Sequence, residues 1–359
     1  MTGGAGEGSQ TMGNGTVRIK RSLTVVGHSP DVVELRSGVW NKRSYTLTDD
    51  SGSGKLLTLV RSLDGSVTSR ELAKREGVSR AEVESLVDHL LSLGAVESAP
   101  QSALDAYVDT IGALRLATGP GTKLPQSVLL LGDPGITATL AAHLDGIAGG
   151  RVLVGRDDEP AVAALASAGP DVLGDELALA EFAEAFEPWR EHLVIVADTV
   201  IHPVRLTLLS RLSGRLGFPW LHAAVDGPFV LVGPTFVPGR SACYECFETR
   251  VTMNLRENAS YLRYKEALAE GAVRHGTPAV LGPLKGLLAC HTALEATNYL
   301  ATGATFTIEK VLGIHVPTME IAYHEVLRLP GCPGCGSVAG RDDTTVHFDA
   351  RAWLDDTDD

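Results

Sequence analysis

Two C-x-x-C pairs constrain the fold of this chain more than any other feature. They are Cys243 and Cys246 in SACYECFETR, and Cys332 and Cys335 in PGCPGCG. Each pair can offer two thiolates from a tight turn, and four thiolates complete a tetrahedral structural Zn²⁺ site. Pro333-Gly334 supplies turn chemistry inside the second pair. Two disulfides, or a redox dithiol, are the alternatives. If one metal takes all four, the fold must bring residues 243–246 and 332–335 to a single point. Such a site has no open coordination position, so it reads as scaffold and not as a reaction centre.

The five cysteines come without a secretory signal, which fits a reducing cytoplasm and favours metal over disulfides. The fifth, Cys290, sits in an apolar helical pattern and reads as a core residue. No apolar run approaches the length of a membrane span. The net charge of −13 argues against a nucleic-acid partner, whose binding depends on neutralising phosphates.

The pattern divides the chain into five parts. Residues 1–16 are Gly-rich and read as disordered. Residues 17–97 form a small module, 98–124 a linker, 125–338 an α/β domain, and 339–359 an acidic C-terminal tail. In the module, β-type runs at 23–26, 32–35 and 43–48 precede three helices. The first covers about 55–63. The second and third open with capping boxes, Thr68 with Glu71 and Ser79 with Glu82. Val83, Leu86, Val87, Leu90 and Leu91 keep helical spacing. Strands followed by three short helices predict a winged helix-turn-helix. Such a module reads DNA with its last helix or holds a peptide as an added strand. Glu82, Glu84 and Asp88 make that helix acidic, which favours the peptide. A purely structural module is the third reading.

The α/β domain opens with a buried strand at 127–131, the turn Gly132-Asp133-Pro134-Gly135, and a helix from about Ile136. Strand, glycine turn and helix begin a nucleotide-binding unit. Strands at 151–154, 193–197 and 220–224 alternate with helical patterns and predict a mostly parallel, Rossmann-like sheet. A hairpin split at Gly233-Pro234 leads to the first cysteine pair. Helices at 254–270 and 284–300 follow, then β structure at 311–314, 319–323 and 324–327.

This order, with Gly239-Arg-Ser-Ala-Cys-Tyr-Glu-Cys246 and Arg328-Leu-Pro-Gly-Cys-Pro-Gly-Cys-Gly336, resembles the ThiF-like branch of the ubiquitin-activating superfamily over about residues 127–336. The N-terminal module resembles the PqqD-type leader-recognition element found in the biosynthesis of ribosomally made, modified peptides (RiPPs). Together they resemble the leader-binding ThiF-like partners of YcaO cyclodehydratases, which make thiazole- and oxazole-containing peptides, thiopeptides included.

The departures from that family bear on activity. Gly132 and Gly135 survive in the turn, but Thr137 takes the third glycine position, Asp133 adds negative charge and Pro134 removes an N–H. The family's D-x-x-D-N-x-x-x-R segment matches Asp198 to Arg205, with Val200 or Ile201 in place of the second acid. These residues therefore read as a degenerate nucleotide turn, with Asp198 and Arg205 structural and no catalytic residue assigned.

The resemblance implies a non-catalytic subunit that binds a precursor leader and presents it to a YcaO partner. ATP and Mg²⁺ are expected in that partner, which forms the azolines. The leader would add to the edge at 43–48. Lys42, Arg43, Tyr45 and Leu47 supply the strand side, and Val83, Leu86 and Leu90 the helix side. A homodimer stays open. The alternative is an active enzyme adenylating a peptide carboxylate.

Overall fold

The computed structural model describes residues 16–40, 44–97, 102–112, 124–147, 151–276 and 279–336. Among these, no helix is long and apolar enough to cross a membrane. The chain divides into two compact units between residues 115 and 116.

The first unit runs β1 (Thr16–Ile19), β2 (Thr24–Ser29), β3 (Val32–Arg36), β4 (Ser44–Thr48), α1 (Leu56–Ser62), β5 (Asp64–Thr68), α2 (Ser69–Glu76), α3 (Arg80–Ser92), β6 (Val96–Glu97) and α4 (Ala103–Gly112). Two antiparallel three-stranded sheets form, in the orders β5-β1-β6 and β2-β3-β4. Both capping boxes close. Thr68 and Ser79 accept from the backbone N–H of Glu71 and Glu82, and those carboxylates accept from the cap N–H groups at 2.9 and 2.7 Å. Each satisfies donors that a helix start otherwise leaves orphaned. Val33, Leu35, Val60, Leu72, Val83 and Leu90 form the buried centre. Strands β1, β5 and β6 span only four, five and two residues, too short to stand out in sequence. Asp64-Gly65, directly after the first helix and Leu63, opens β5.

The second unit runs β7 (Ser127–Gly132), α5 (Pro134–Leu144), β8 (Arg151–Val154), α6 (Pro160–Ser167), α7 (Glu176–Glu184), β9 (His192–Asp198), α8 (Pro203–Leu216), β10 (Trp220–Asp226), β11 (Phe229–Phe236), α9 (Tyr244–Asn254), α10 (Asn258–Ala269), α11 (Gly282–Thr302), β12 (Lys310–His315) and β13 (Glu320–Glu325). Its seven strands lie in the order β13-β12-β11-β10-β9-β7-β8. Strands β8, β7, β9 and β10 are mutually parallel, and the other three are antiparallel. One apolar face packs on α5 and α11, the other on α6, α7 and α8. Burial on both faces explains the near-continuous apolar runs of β7 and β9.

Three local expectations change. Gly233-Pro234 does not split a hairpin: β11 runs through it, with a register shift opposite Leu221 and Ala223. An irregularity of this kind is where a strand tolerates a proline lacking a ladder donor. The hairpin turn lies instead at Gly227-Pro228, between β10 and β11. The runs at 319–323 and 324–327 form one strand, β13. Cys290 is exposed, not core, and its Sγ lies 3.4 Å from His143 Nε2. The helical stripe that buries Leu288, Ala289 and Thr292 turns position 290 outward.

Candidate metal centre and the switch point of the sheet

The first C-x-x-C pair stands at the start of α9. Cys243 is the residue before its first turn, and Cys246 is buried within it. The second pair follows β13 in a turn. The four Sγ atoms all lie within 4.8 Å of one another. The separations are 3.8 Å for Cys243–Cys246 and 3.5 Å for both Cys243–Cys332 and Cys246–Cys335. A tetrahedron with metal–sulfur bonds of about 2.3 Å has sulfur–sulfur edges of about 3.8 Å. The four cysteines could therefore hold one metal ion.

Surrounding contacts fix the four cysteines. The Leu329 N–H points at Cys246 Sγ at 3.3 Å. Arg328 and Arg250 donate to the carbonyls of Ser241 and Leu327 at 3.0 and 2.8 Å, lacing the two knuckles together. Glu245, between the first two cysteines, pairs with Arg211 at 2.8 Å. Gly334 is required in the second turn, because a Cβ there would come within 2.9 Å of Cys243 Sγ.

The chain passes from β7 outward to β8, then returns to β9 on the other side of β7. In open α/β sheets, ligands bind beyond the strand ends at such a reversal. Gly132 closes β7 with φ of 120°, and a Cβ there would overlap the Ala197 carbonyl oxygen. Asp133 then caps α5. Its carboxylate accepts from the N–H groups of Gly135 and Ile136 at 2.9 and 3.1 Å. Lys285, on α11, holds both carboxylate oxygens at 2.9 Å. Burial raises the Asp133 pKa, but Lys285 and the helix N–H groups outweigh it and hold the acid below its ordinary value. The donors that a helix start would offer a phosphate are thus taken by the chain's own anion.

Asp198 ends β9 and pairs with Arg205 on α8. Burial, assisted by the charge of Asp133, raises the Asp198 pKa against the pull of Arg205. Gly132, Asp133, Asp157, Asp198 and Arg205 line a cavity of about 230 Å³. Gly135 lies on the first turn of α5, against the Asp133–Lys285 pair. Val200 and Ile201, where the resemblance expects an acid, bring no carboxylate. Sequence reasoning missed Lys285: it lies in an apolar helix far along the chain, with no local signal.

In the first unit, β4 pairs only with β3 among the described residues, so its other edge has no strand partner. Beyond its end lies a cavity of about 500 Å³ against α3, with Leu56, Leu59 and Leu86 among its apolar walls and Lys55, Glu82 and His89 among its polar ones. Leu86 and Tyr45 are half-buried. Leu47, Val83 and Leu90 are buried in the unit's own core and support this surface from beneath. That corrects their expected place as contact residues: they belong to the inward faces of sheet and helix. Lys42 and Arg43 lie outside the described residues.

No family model matches this chain. Among curated proteins, HesA of Leptolyngbya boryana is 27% identical over 160 residues, covering 40% of this chain and 50% of HesA. The heterocyst HesA of Trichormus variabilis is 29% identical over 132 residues, covering 37% of this chain and 42% of its own length. The chain thus spans about half the length of the curated relatives it matches. Among solved structures, the heterocyclase TruD superposes with a TM-score of 0.63 at 22% identity, covering 90% of this chain and 43% of TruD. E. coli MccB with AMPCPP and MccA gives 0.50 at 14% identity, covering 89% of this chain and 99% of MccB. The seven-stranded mixed sheet with its preceding small unit is therefore a fold shared with the heterocyclase TruD and with MccB.

Proposed function

We propose that this chain is a leader-binding, non-catalytic subunit in RiPP maturation, which presents a precursor peptide to a YcaO-type cyclodehydratase for azoline formation. The observation that carries the reading is the contrast between two sites. The anion seat at α5 is filled by Asp133 and locked by Lys285, whereas β4, beside the α3 cavity, has one edge without a strand partner among the described residues. In this reading the first unit is a winged-helix, PqqD-like recognition element. The leader adds as a strand to β4, and its side chains reach the Leu56–Leu59–Leu86 walls. Holding the leader raises the effective concentration of the core peptide at the partner's active site. The fold shared with the heterocyclase TruD supports the reading. The four cysteines hold structural zinc, for which four thiolates at tetrahedral spacing are the expected donor set.

A fluorescently labelled leader of a candidate precursor peptide should bind the full chain saturably. Ser85→Trp, which fills the α3 cavity, should weaken that binding and the partner's rate together. Undiminished binding by Ser85→Trp and by a chain lacking residues 1–97 would refute the assignment.

The cavity beside Asp198 and Arg205 favours a second reading, an enzyme that adenylates a peptide carboxylate. Peptide- and Mg²⁺-dependent pyrophosphate exchange would establish it.

A further inference from the structure

A second cavity, of about 480 Å³, opens beyond β9 and β10, between the sheet and helices α9 and α10, and adjoins the one at Asp198 through Thr199 and Val200. Its volume lies in the range of small-molecule sites, roughly 300–1,000 Å³. The rings of Tyr244, Phe247, Tyr261 and Tyr264 line it, and among the described residues no Lys or Arg does.

His222 on β10 faces this cavity from the sheet and is 2% exposed. Its Nδ1 lies 3.3 Å from the Gly233 carbonyl oxygen. A carbonyl can only accept, so Nδ1 carries the proton. Burial lowers the ring's pKa to about 4, so the imidazole is neutral and Nε2 is an acceptor. Among the described residues nothing hydrogen-bonds Nε2. The Tyr244 side chain, 3% exposed, likewise has no partner for its hydroxyl.

The charges around the cavity decide what can complete these groups. Glu248 is satisfied by the Tyr261 hydroxyl and the Lys265 ammonium, each at 2.6 Å. Asp226 is exposed at the rim. A buried cation would find no free counter-ion deep in the cavity, and a buried anion would find none among the lining residues. What fits is a flat apolar body with a donor at one edge.

We propose that this cavity binds an uncharged aromatic group bearing an N–H or O–H donor, seated among the Tyr and Phe rings with its donor on His222 Nε2. The inference stands independently of the leader-binding reading.

The test titrates the full-length, metal-containing protein with indole and with 1-methylindole, by calorimetry and saturation-transfer NMR. Indole should bind saturably, and 1-methylindole, which lacks the N–H, should bind at least about tenfold more weakly. His222→Leu should reduce that preference to within about twofold, because the acceptor is gone. Val251→Trp, at the cavity mouth, should abolish binding of both probes while the circular dichroism spectrum is unchanged. Equal binding of the two probes to the wild type, or no saturable binding of either, overturns the proposal. Tighter binding of tryptamine than of indole overturns the uncharged assignment. Should His222→Leu fail to fold, the wild-type probe pair and Val251→Trp decide the matter.

Discussion

Asp133 caps a helix and fills an anion seat, so its removal should lower stability and create binding at once. Asp133→Ala removes the acceptor for the Gly135 and Ile136 N–H groups, and loss of such a cap costs about 0.5–2 kcal/mol. It also strips Lys285 of its partner. Asp133 and Lys285 are 18% and 27% exposed, so solvent screens the pair and it adds about 1 kcal/mol at most. The expected total is about 0.5–3 kcal/mol, which for a unit of this size lowers the melting temperature by about 1–12 °C. Asp133→Asn keeps a capping oxygen and loses only the charge, so its cost should be smaller, about 1 kcal/mol. In Asp133→Ala the two N–H groups and the Lys285 ammonium become free to meet an anion. Inorganic pyrophosphate should then bind at least about tenfold more tightly than to the wild type. Thermal unfolding at pH 7 and calorimetric titration with pyrophosphate read the two effects. Two results would refute the reasoning. One is Ala and Asn variants both within about 0.5 kcal/mol of wild type. The other is pyrophosphate binding to the wild type as tightly as to Asp133→Ala.

Three further outcomes are expected. Purified protein should carry about one equivalent of zinc, and Cys332→Ser should drop below half an equivalent while Cys243, Cys246 and Cys335 become reactive to thiol reagents; full zinc retention by the variant would exclude a four-cysteine site. Because His222 has a folded pKa of about 4 against 6.5 unfolded, the unfolded state binds the extra proton between those values. Its contribution is therefore intact above pH 6.5 and is lost at about 1.4 kcal/mol per pH unit as the pH falls towards 4. Denaturant midpoints should track that loss, and His222→Leu should flatten it. In the first unit, Leu90→Ala should cost about 2–5 kcal/mol and Ser79→Ala about 1 kcal/mol by chemical denaturation; equal costs would contradict the burial of Leu90 and the exposed capping box.

What sequence made legible was local. The capping boxes at Thr68 and Ser79 and the apolar runs of β7 and β9 carry their signals within a few residues, and each forms as expected. The Cys spacing forecast one cluster, and the four sulfurs do converge. Tertiary pairings were not legible. Nothing near Lys285 says that it reaches Asp133, and nothing near His222 says that its Nδ1 is spent on Gly233. Gly233-Pro234 misled because a turn signal and a strand irregularity share the same residues; only pairing with β10 separates them. Leu47, Val83 and Leu90 misled because periodicity marks a stripe without saying whether it faces a core or a ligand.

Helix α9 belongs to two sites. Its first turn carries Cys243 and Cys246, while Tyr244, Phe247, Glu248 and Val251 wall the aromatic cavity. Tyr244 stands between Cys243 and Cys246, and Phe247 directly follows Cys246. A metal ion on the cysteines would thus set the pitch of the first turn and with it the attitude of these rings. Loss of such an ion would then be felt at Tyr244 and Phe247 as a change in the shape of the cavity they wall, well before the sheet itself came apart.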